Sequence, residues 1–542
     1  MESKKNKPLN KAVEEDETGK TSGDGLKLWF DRWLGRWCGL LEVSSFICGA
    51  AVMVLEMAGS RVVAPYMGTS LVVWTSLIGV IMASLSLGYW LGGVAADLRP
   101  EQKILARIVL LSAFSTGFLA LCANPVLTLL SRIHNPYISS ILAALLLFAL
   151  PSLLLGMVSP FIVRLAMKDV GSSGETVGRF SALSSAGSIL GTFLGGFVLI
   201  SVFASGTILL LVAATLAFVA SMLYRSAWKK AALICVAFLM TGIGTEVWGM
   251  PMMPLGDHID TRYNHIWVAE QTRPNGRRAR YLMTAAAREG AQSIIYTDNP
   301  SELASEYTKF YDLAFYYNPG VKKILMLGGG GYCVPRYLVA TRSDDLRLPT
   351  FSMDVVEIDP GITSAARKYF YLQDSPALSI YHEDARSFLN RAARDPQRRG
   401  SYDAVFADVF GSWYSIPFHL TTVETAQAMS DLLTPDGVLV SNVISALYGP
   451  RSGVLHGIYS ALSKVFPRVL IFPAQNANRA FVQQRQNIMV VAFKSENDLP
   501  VLPPYSPEIA RLLSHRWSEP FISTVSPFTD AFAPVESYAL RD

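Results

Sequence analysis

The stretch KKILMLGGGGYCVPRYL, residues 322–338, places four consecutive glycines between an apolar run and a segment with helical spacing. The apolar run at 324–327 has the composition of a buried strand. Glycines at the end of a strand allow a ligand to approach the backbone closely. The spaced G-x-G-x-x-G pattern is absent, which argues mildly against a nicotinamide cofactor. The stretch therefore predicts a strand–turn–helix unit with a ligand at its glycine turn.

Further apolar runs of similar length follow towards the C-terminus. They lie at 352–359, 378–384, 403–409, 437–443, 468–474 and 487–494. Helical segments lie between most of them, and this alternation predicts a parallel α/β sheet with helices on both faces. Three short strand-like runs between 262 and 298 predict a small antiparallel sheet ahead of it.

Acidic residues stand where three successive predicted strands end. Glu357 ends the second strand, Asp384 the third and Asp408 the fourth, while Gly328 begins the glycine run at the end of the first. The carboxyl ends of parallel strands meet at one edge, where such sheets bind ligands. An acid at the second strand can accept hydrogen bonds from ribose hydroxyls, and one at the third from an adenine amino group. Capping of the following helices is the alternative reading.

The N-terminal half has the composition of membrane helices. The chain of 542 residues is 51% hydrophobic and 17% charged, and its long apolar runs lie before residue 250. A net charge of +4 is too small to indicate nucleic-acid binding, and no cysteine spacing indicates a metal site. Runs of about 20 apolar residues predict membrane spans, here 38–58, 70–96, 104–123, 138–166, 180–203, 206–224 and 231–249.

Basic residues predict the orientation of these spans. They concentrate in the second, fourth and sixth loops, which share a side with the lysine-bearing N-terminus and should be cytoplasmic. With seven spans the soluble half would lie outside. A cytosolic ligand predicts that it lies inside, with 231–249 interfacial or re-entrant. We expect the cytoplasmic placement, in the plasma (inner) membrane.

Two features of the spans carry further expectations. Gly187, Gly191 and Gly195 lie four residues apart and predict a face for close helix packing. Glu56 lies inside the first span, and we expect it to pair with Arg61 rather than to serve transport.

The soluble half resembles the spermidine synthases (polyamine aminopropyltransferases). The resemblance rests on EGAQSIIYTD, EYTKFYDLAF, ILMLGGGG, VEIDP, HEDAR and FADVF, which occur in this order between residues 262 and 495. With the membrane half, the chain resembles the bacterial membrane-fused spermidine synthase-like proteins. The resemblance implies a class I methyltransferase-like (Rossmann-like) sheet, preceded by a small β domain and an α-helical transmembrane bundle.

The resemblance also implies a ligand and its binding residues. The ligand is S-adenosylmethionine or decarboxylated S-adenosylmethionine, and the acceptor is an amine such as a polyamine. Asp408 and Tyr307 are the implied catalytic residues, with Asp408 deprotonating or orienting the amine. The implied cofactor-binding residues are Gln292, Gly328, Gly329, Gly330, Glu357, Asp384 and Ala385. No metal is implied, and a homodimer is left open.

The sequence departs from the family pattern where the family binds a diamine. Gly331 replaces the acid of the GGGDG motif, and Gly411 replaces a second acid three residues after Asp408. Aromatic faces could hold an ammonium group instead; the candidates are Tyr307, Tyr311, Tyr332, Trp413 and Tyr414. Two rivals to an aminopropyltransferase therefore stay open: a methyltransferase, and a non-catalytic sensor on a small transporter.

The predicted organisation has five parts. They are a disordered or amphipathic tail at 1–37, a membrane domain at 38–249, a small β domain at 258–300, a catalytic domain at 301–500 and a C-terminal extension at 501–542.

Overall fold

A computed structural model describes most of the chain. The described residues are 39–68, 70–133, 135–167, 169, 173–224, 256–284, 291–342, 351–410, 416–475, 481–497 and 503–540. The predicted tail, the seventh candidate span at 231–249, and Gly411, Trp413 and Tyr414 lie outside these residues.

Within the described chain, six helices are long and apolar enough to cross a membrane. They are α1 (Leu40–Met67), α2 (Leu71–Leu98), α3 (Gln102–Leu130), α4 (Pro136–Ala166), α5 (Ser173–Phe193) and α6 (Ser205–Leu223). Helix α5 continues through a π-helical turn, Leu194–Leu199, and a last helical turn, Ile200–Val202. Large apolar side chains such as Trp90 and Phe197 are exposed on these helices, as lipid-facing residues are. A long apolar helix lies at each of the first six predicted spans.

The glycine stripe of α5 packs against α1, as its spacing predicts. A Cβ atom at Gly187 or Gly191 would overlap the backbone carbonyl oxygen of Phe46 or Ala50, respectively. One turn further, a Cβ at Gly195 would lie 3.6 Å from the Val54 side chain. The two backbones therefore approach closely because the contact positions carry no side chain.

Arg61 does not pair with Glu56, and the expectation of that pair is wrong. The Arg61 guanidinium donates to the backbone carbonyls of Thr261 and Arg262, at 2.5 Å for Arg262. Arg61 lies near the end of α1, so its long side chain reaches beyond the helix bundle into the soluble half.

The small sheet predicted ahead of the main domain is present. Its strands pair antiparallel in chain order: β1 (Gly256–Asp260), β2 (His265–Thr272), β3 (Arg278–Met283) and β4 (Ser293–Tyr296). Short helical segments at Glu306–Lys309 and Leu313–Tyr317 then lead into the main sheet.

The main sheet has seven strands in the order β10-β11-β9-β8-β5-β6-β7. They are β5 (Lys323–Leu327), β6 (Ser352–Val356), β7 (Leu378–Tyr381), β8 (Tyr402–Ala407), β9 (Leu433–Ser445), β10 (Arg468–Pro473) and β11 (Gln486–Phe493). All seven predicted strands are confirmed. The expectation of a fully parallel sheet needs one correction, because β11 runs antiparallel to both β9 and β10.

Helices cover both faces of this sheet. They are α7 (Cys333–Arg342), α8 (Pro360–Tyr369), α9 (Ala385–Ala392), α10 (Val423–Leu432), α11 (Gly453–Ser463), α12 (Pro507–Ser514) and α13 (Val535–Ala539). In β5, Ile324 and Met326 join the core on one face, and Leu325 and Leu327 join the core on the other. Burial on both faces explains why the strand reads as a continuous apolar run.

Candidate functional site

Backbone hydrogen bonds bring the tips of β5, β6 and β8 together. The Gly328 N–H donates to the Val356 carbonyl at 2.8 Å, and the Asp408 N–H donates to the Leu327 carbonyl at 2.9 Å. Glu357 follows Val356 directly. The glycine turn therefore lies between the two acids, at the carboxyl edge where ligands bind in sheets of this kind.

The glycine loop wraps around the Glu357 carboxylate. Oε2 accepts hydrogen bonds from the N–H groups of Gly329 (2.8 Å) and Gly330 (3.3 Å), and Oε1 accepts one from Asp359 (3.0 Å). Burial raises the pKa of Glu357, whereas these three N–H groups act to lower it. With 7% of its surface exposed, this acid fixes the loop and still borders the crevice.

The glycine turn uses backbone that other residues rarely adopt. Gly328 and Gly330 have φ values of +88° and +50°, and a Cβ at Gly328 would overlap the Asp408 carbonyl oxygen. Gly331 lacks a positive φ, but its Cβ would lie 2.8 Å from the Cβ of Ser293. An aspartate at Gly331 would therefore require Ser293 to move.

A hydrogen-bonded carboxylate lies at the tip of β8. Asp408 Oδ2 accepts from the Tyr307 hydroxyl at 3.1 Å, and Oδ1 accepts from Asn442 Nδ2 at 2.9 Å. Burial raises the pKa of Asp408, and the two hydrogen bonds act to lower it. Burial and the Asp408 charge raise the pKa of Tyr307 well above its usual value, so Tyr307 stays a neutral donor.

The sequence reasoning missed Asn442 and Asn487. Asn487 Nδ2 donates to Asn442 Oδ1 at 3.2 Å, which orients the Asn442 amide towards Asp408. Both asparagines lie inside apolar strand runs, on β9 and β11. A buried amide in such a run needs a polar partner, and this is the signal that could have revealed them.

Two buried polar atoms near the crevice have no partner among the described residues. They are the Tyr311 hydroxyl and Gln292 Oε1. Burial and the nearby Asp408 charge raise the pKa of Tyr311 well above its usual value, and the Tyr311 ring packs on Phe406 with centroids 4.7 Å apart. An unsatisfied buried hydroxyl or amide is costly. Both atoms fit a polar ligand that supplies the missing hydrogen bonds.

Asp384 takes the role of a helix cap. Its Oδ1 accepts from the Ser387 N–H at 2.8 Å at the start of α9, and Oδ2 lies 3.6 Å from His419 Nε2. Its side chain is 38% exposed, so Oδ2 stays accessible to a ligand. Ala385 is the first residue of α9 and is buried. Adenine binding by Asp384 and Ala385 stays a prediction.

Tyr332 belongs to the core. It is fully buried, and its hydroxyl lies 2.8 Å from Thr363 Oγ1. Its φ of +55° is unusual for a tyrosine. The aromatic face that we considered for an ammonium group at Tyr332 is therefore not available.

The protein has a class I methyltransferase-like α/β domain behind a bundle of apolar helices. This class follows from the strand order, the small sheet ahead of the domain and the crevice at the strand tips. No protein-family model matches the chain.

Two relatives illustrate the sequence similarity. A polyamine aminopropyltransferase of Vibrio vulnificus (strain CMCP6) is 33% identical over 179 residues, which cover 32% of this chain and 56% of the relative. The human eEF1A lysine and N-terminal methyltransferase is 25% identical over 153 residues, which cover 27% of this chain and 20% of the relative. The chain thus spans about half the length of the aminopropyltransferase that it matches. These similarities and the six apolar helices fit a membrane-fused spermidine synthase-like protein.

Solved structures give a weaker likeness. A probable spermidine synthase from Corynebacterium glutamicum is 19% identical with a TM-score of 0.38, over 48% of this chain and 87% of that chain. Human methyltransferase-like protein 13 in complex with SAH is 21% identical with a TM-score of 0.30, over 39% of this chain and 90% of that chain.

Proposed function

We propose that the protein is a membrane-anchored, spermidine synthase-like transferase that alkylates an amine acceptor, with S-adenosylmethionine or its decarboxylated form as donor. The observation that carries the proposal is the Asp408 carboxylate, held by Tyr307 and Asn442 beside the glycine loop of Glu357. The similarity to polyamine aminopropyltransferases supports this class of reaction, and the apolar helices support a location in a bacterial plasma membrane.

The donor would lie along the glycine turn. Glu357 would accept hydrogen bonds from ribose hydroxyls, as an acid at this strand position does in related sheets. Gln292 Oε1 is buried without a partner among the described residues and is free to accept a further hydrogen bond. When bound, the sulfonium of the donor supplies an electrophilic carbon.

Asp408 would act on the acceptor. Its two protein hydrogen bonds come from neutral donors, so the carboxylate keeps lone pairs for an amine N–H. The amine nitrogen bonds to the methylene carbon beside the sulfonium, the carbon–sulfur bond breaks, and its electron pair leaves with methylthioadenosine. The amine proton passes to Asp408 or to solvent. Alignment of the two reactants in one crevice lowers the barrier.

A second candidate is methyl transfer from intact S-adenosylmethionine. Glycine at position 331, packed tightly against Ser293, favours it, because a spermidine synthase-like diamine site would need an acid there. The similarity to a protein methyltransferase points the same way. In this reaction the acceptor receives a methyl group, and the product is S-adenosylhomocysteine.

Product analysis tests both candidates. The full chain, purified in lipid nanodiscs, is incubated with each donor and a polyamine mixture, and the nucleoside products are identified by mass spectrometry. We expect methylthioadenosine, with a matching aminopropylated amine. S-Adenosylhomocysteine with a methylated amine would instead establish the methyltransferase. Binding of either donor without any product would exclude both reactions for these amines.

A further inference from the structure

The two ends of the helix bundle can be told apart. Connections of a few residues join α1 to α2, α3 to α4 and α5 to α6, at 68–70, 131–135 and 203–204. Such short connections cannot cross a bilayer core of about 30 Å, so these helix ends share one face, here called the docking face. The starts of α1, α3 and α5 and the ends of α2, α4 and α6 lie at the opposite face, here called the basic face.

Two ion pairs support this assignment without reference to the loops. Arg164 near the end of α4 pairs with Asp97 at the end of α2, with 2.9 Å between Nε and Oδ1. Arg179 near the start of α5 pairs with Glu42 near the start of α1. All four residues belong to the basic face, as the alternation of the helices requires.

The soluble half contacts the docking face at the end of α1 and the start of α6. Arg61 of α1 donates to the carbonyls of Thr261 and Arg262 in the turn between β1 and β2. The backbone N–H of Ser205 at the start of α6 donates to the Asp260 carboxylate. Although burial acts to raise its pKa, the hydrogen bond from His265, the Arg61 charge and this N–H hold the pKa of Asp260 below its usual value.

A third contact comes from the C-terminal part of the chain. Glu536 Oε2 of α13 accepts from the backbone N–H of Leu71 at 2.5 Å, at the start of α2. The first N–H groups of a helix have no partner within the helix, and a carboxylate there also interacts favourably with the helix dipole. Three helices of the bundle therefore meet the soluble half at the docking face.

The last helix of the bundle ends on one face, and the described chain resumes at the other. Helix α6 ends at Leu223 on the basic face, whereas β1 begins at Gly256 and its end, Asp260, contacts the docking face. The run at 231–249, which lies outside the described residues, has about the length that a span requires.

Basic residues are distributed unequally between the two faces. The docking face has Arg61 and Arg132, and Arg61 is already bound to the soluble half. Among the described residues, the basic face has Arg99, Lys103, Arg107, Arg164 and Arg179. Lysine and arginine near the ends of spans favour the cytoplasmic side, which therefore corresponds to the basic face.

We propose that the soluble domain lies on the extracytoplasmic side of the membrane. The contacts at three helices and the excess of basic residues at the other face carry the proposal independently of any catalytic activity. It replaces our sequence-based expectation of a cytoplasmic domain. The ligand crevice then draws its donor and acceptor from the extracytoplasmic compartment.

Reporter fusions to the full chain test this placement in bacterial cells. Alkaline phosphatase, which is active outside the cytoplasm, and green fluorescent protein, which fluoresces inside it, are each fused after Asp542. We expect phosphatase activity without fluorescence. Fluorescence without phosphatase activity would overturn the proposal.

Thiol labelling gives a second measurement without a large fusion partner. Glu496 is exposed in the soluble domain and Glu101 is exposed at the basic face, so Glu496→Cys and Glu101→Cys form a matched pair. We expect a membrane-impermeant maleimide to label Glu496→Cys in spheroplasts, and Glu101→Cys only after permeabilisation. The parent chain measures labelling of the natural cysteines. The reverse order of labelling would overturn the proposal, whether or not the protein has transferase activity.

Discussion

Glu357→Gln is the most direct test of the donor site. Glutamine keeps the size of the side chain and can still accept from the glycine N–H groups that bind Oε2 at 2.8 and 3.3 Å. It removes the charge that would strengthen hydrogen bonds to ribose hydroxyls. A hydrogen bond to a charged group contributes about 1.5–3 kcal/mol. Loss of one such bond weakens binding about tenfold to hundredfold.

The assay is isothermal titration calorimetry with S-adenosylmethionine on the purified full chain. Asp354→Asn is the matched control, because Asp354 is an acid on the same strand that accepts from the Tyr402 hydroxyl at 2.7 Å, away from the strand tip. We expect its affinity to equal that of the parent. Circular dichroism establishes that both variants are folded. Unchanged affinity in folded Glu357→Gln would refute the assignment of Glu357 to the ribose.

Further variants test the acceptor site and the fold. Asp408→Asn keeps the shape of the side chain, so donor affinity should persist while turnover falls about 10²–10⁴-fold; full turnover would remove Asp408 from the mechanism. Asn442→Leu removes a hydrogen bond that lowers the pKa of Asp408. The acidic limb of the pH–rate profile should therefore move to higher pH. An unmoved limb would contradict the role of Asn442 in setting the pKa of Asp408. Tyr332→Phe loses the buried hydrogen bond to Thr363 and should lower the free energy of unfolding by about 0.5–1.5 kcal/mol in urea titrations, with donor affinity unchanged. Burial lowers the pKa of His456 in the folded state. Its contribution to stability is therefore present above the unfolded pKa of about 6.5 and is lost as the pH falls through the lower folded value. Thermal unfolding measured from pH 7.5 to 5 should show a pH-dependent loss of stability that His456→Gln reduces.

The strands and the glycine-turn side of the crevice were predictable from the sequence. The side chains of residues 324–327 enter the apolar cores on the two faces of the sheet in alternation. The strand is therefore an uninterrupted apolar run in the sequence, and the run ends at the first glycine. Because neighbouring parallel strands end at one edge, Glu357 and Asp408 could be placed beside that turn before any coordinate was known.

The acceptor side was less predictable. Asn442 approaches Asp408 across the pairing of β8 with β9, and Asn487 approaches Asn442 from β11, 45 residues along the chain. No local period encodes such contacts. From the sequence, Asp384 could either bind a ligand or cap the following helix. The hydrogen bond that its carboxylate accepts from the Ser387 N–H shows that it caps the helix.

The sequence by itself determined six long apolar helices, seven strands of the main sheet and the glycine turn with its acids, because each has a local pattern of apolar residues, glycines or charge. Tertiary structure alone decided the antiparallel direction of β11, since an apolar run reads the same in both directions. It also decided which face of the bundle meets the soluble half. That choice depends on a few polar contacts, from Arg61, Ser205 and Leu71, between residues far apart in the chain, and such contacts have no periodic signature.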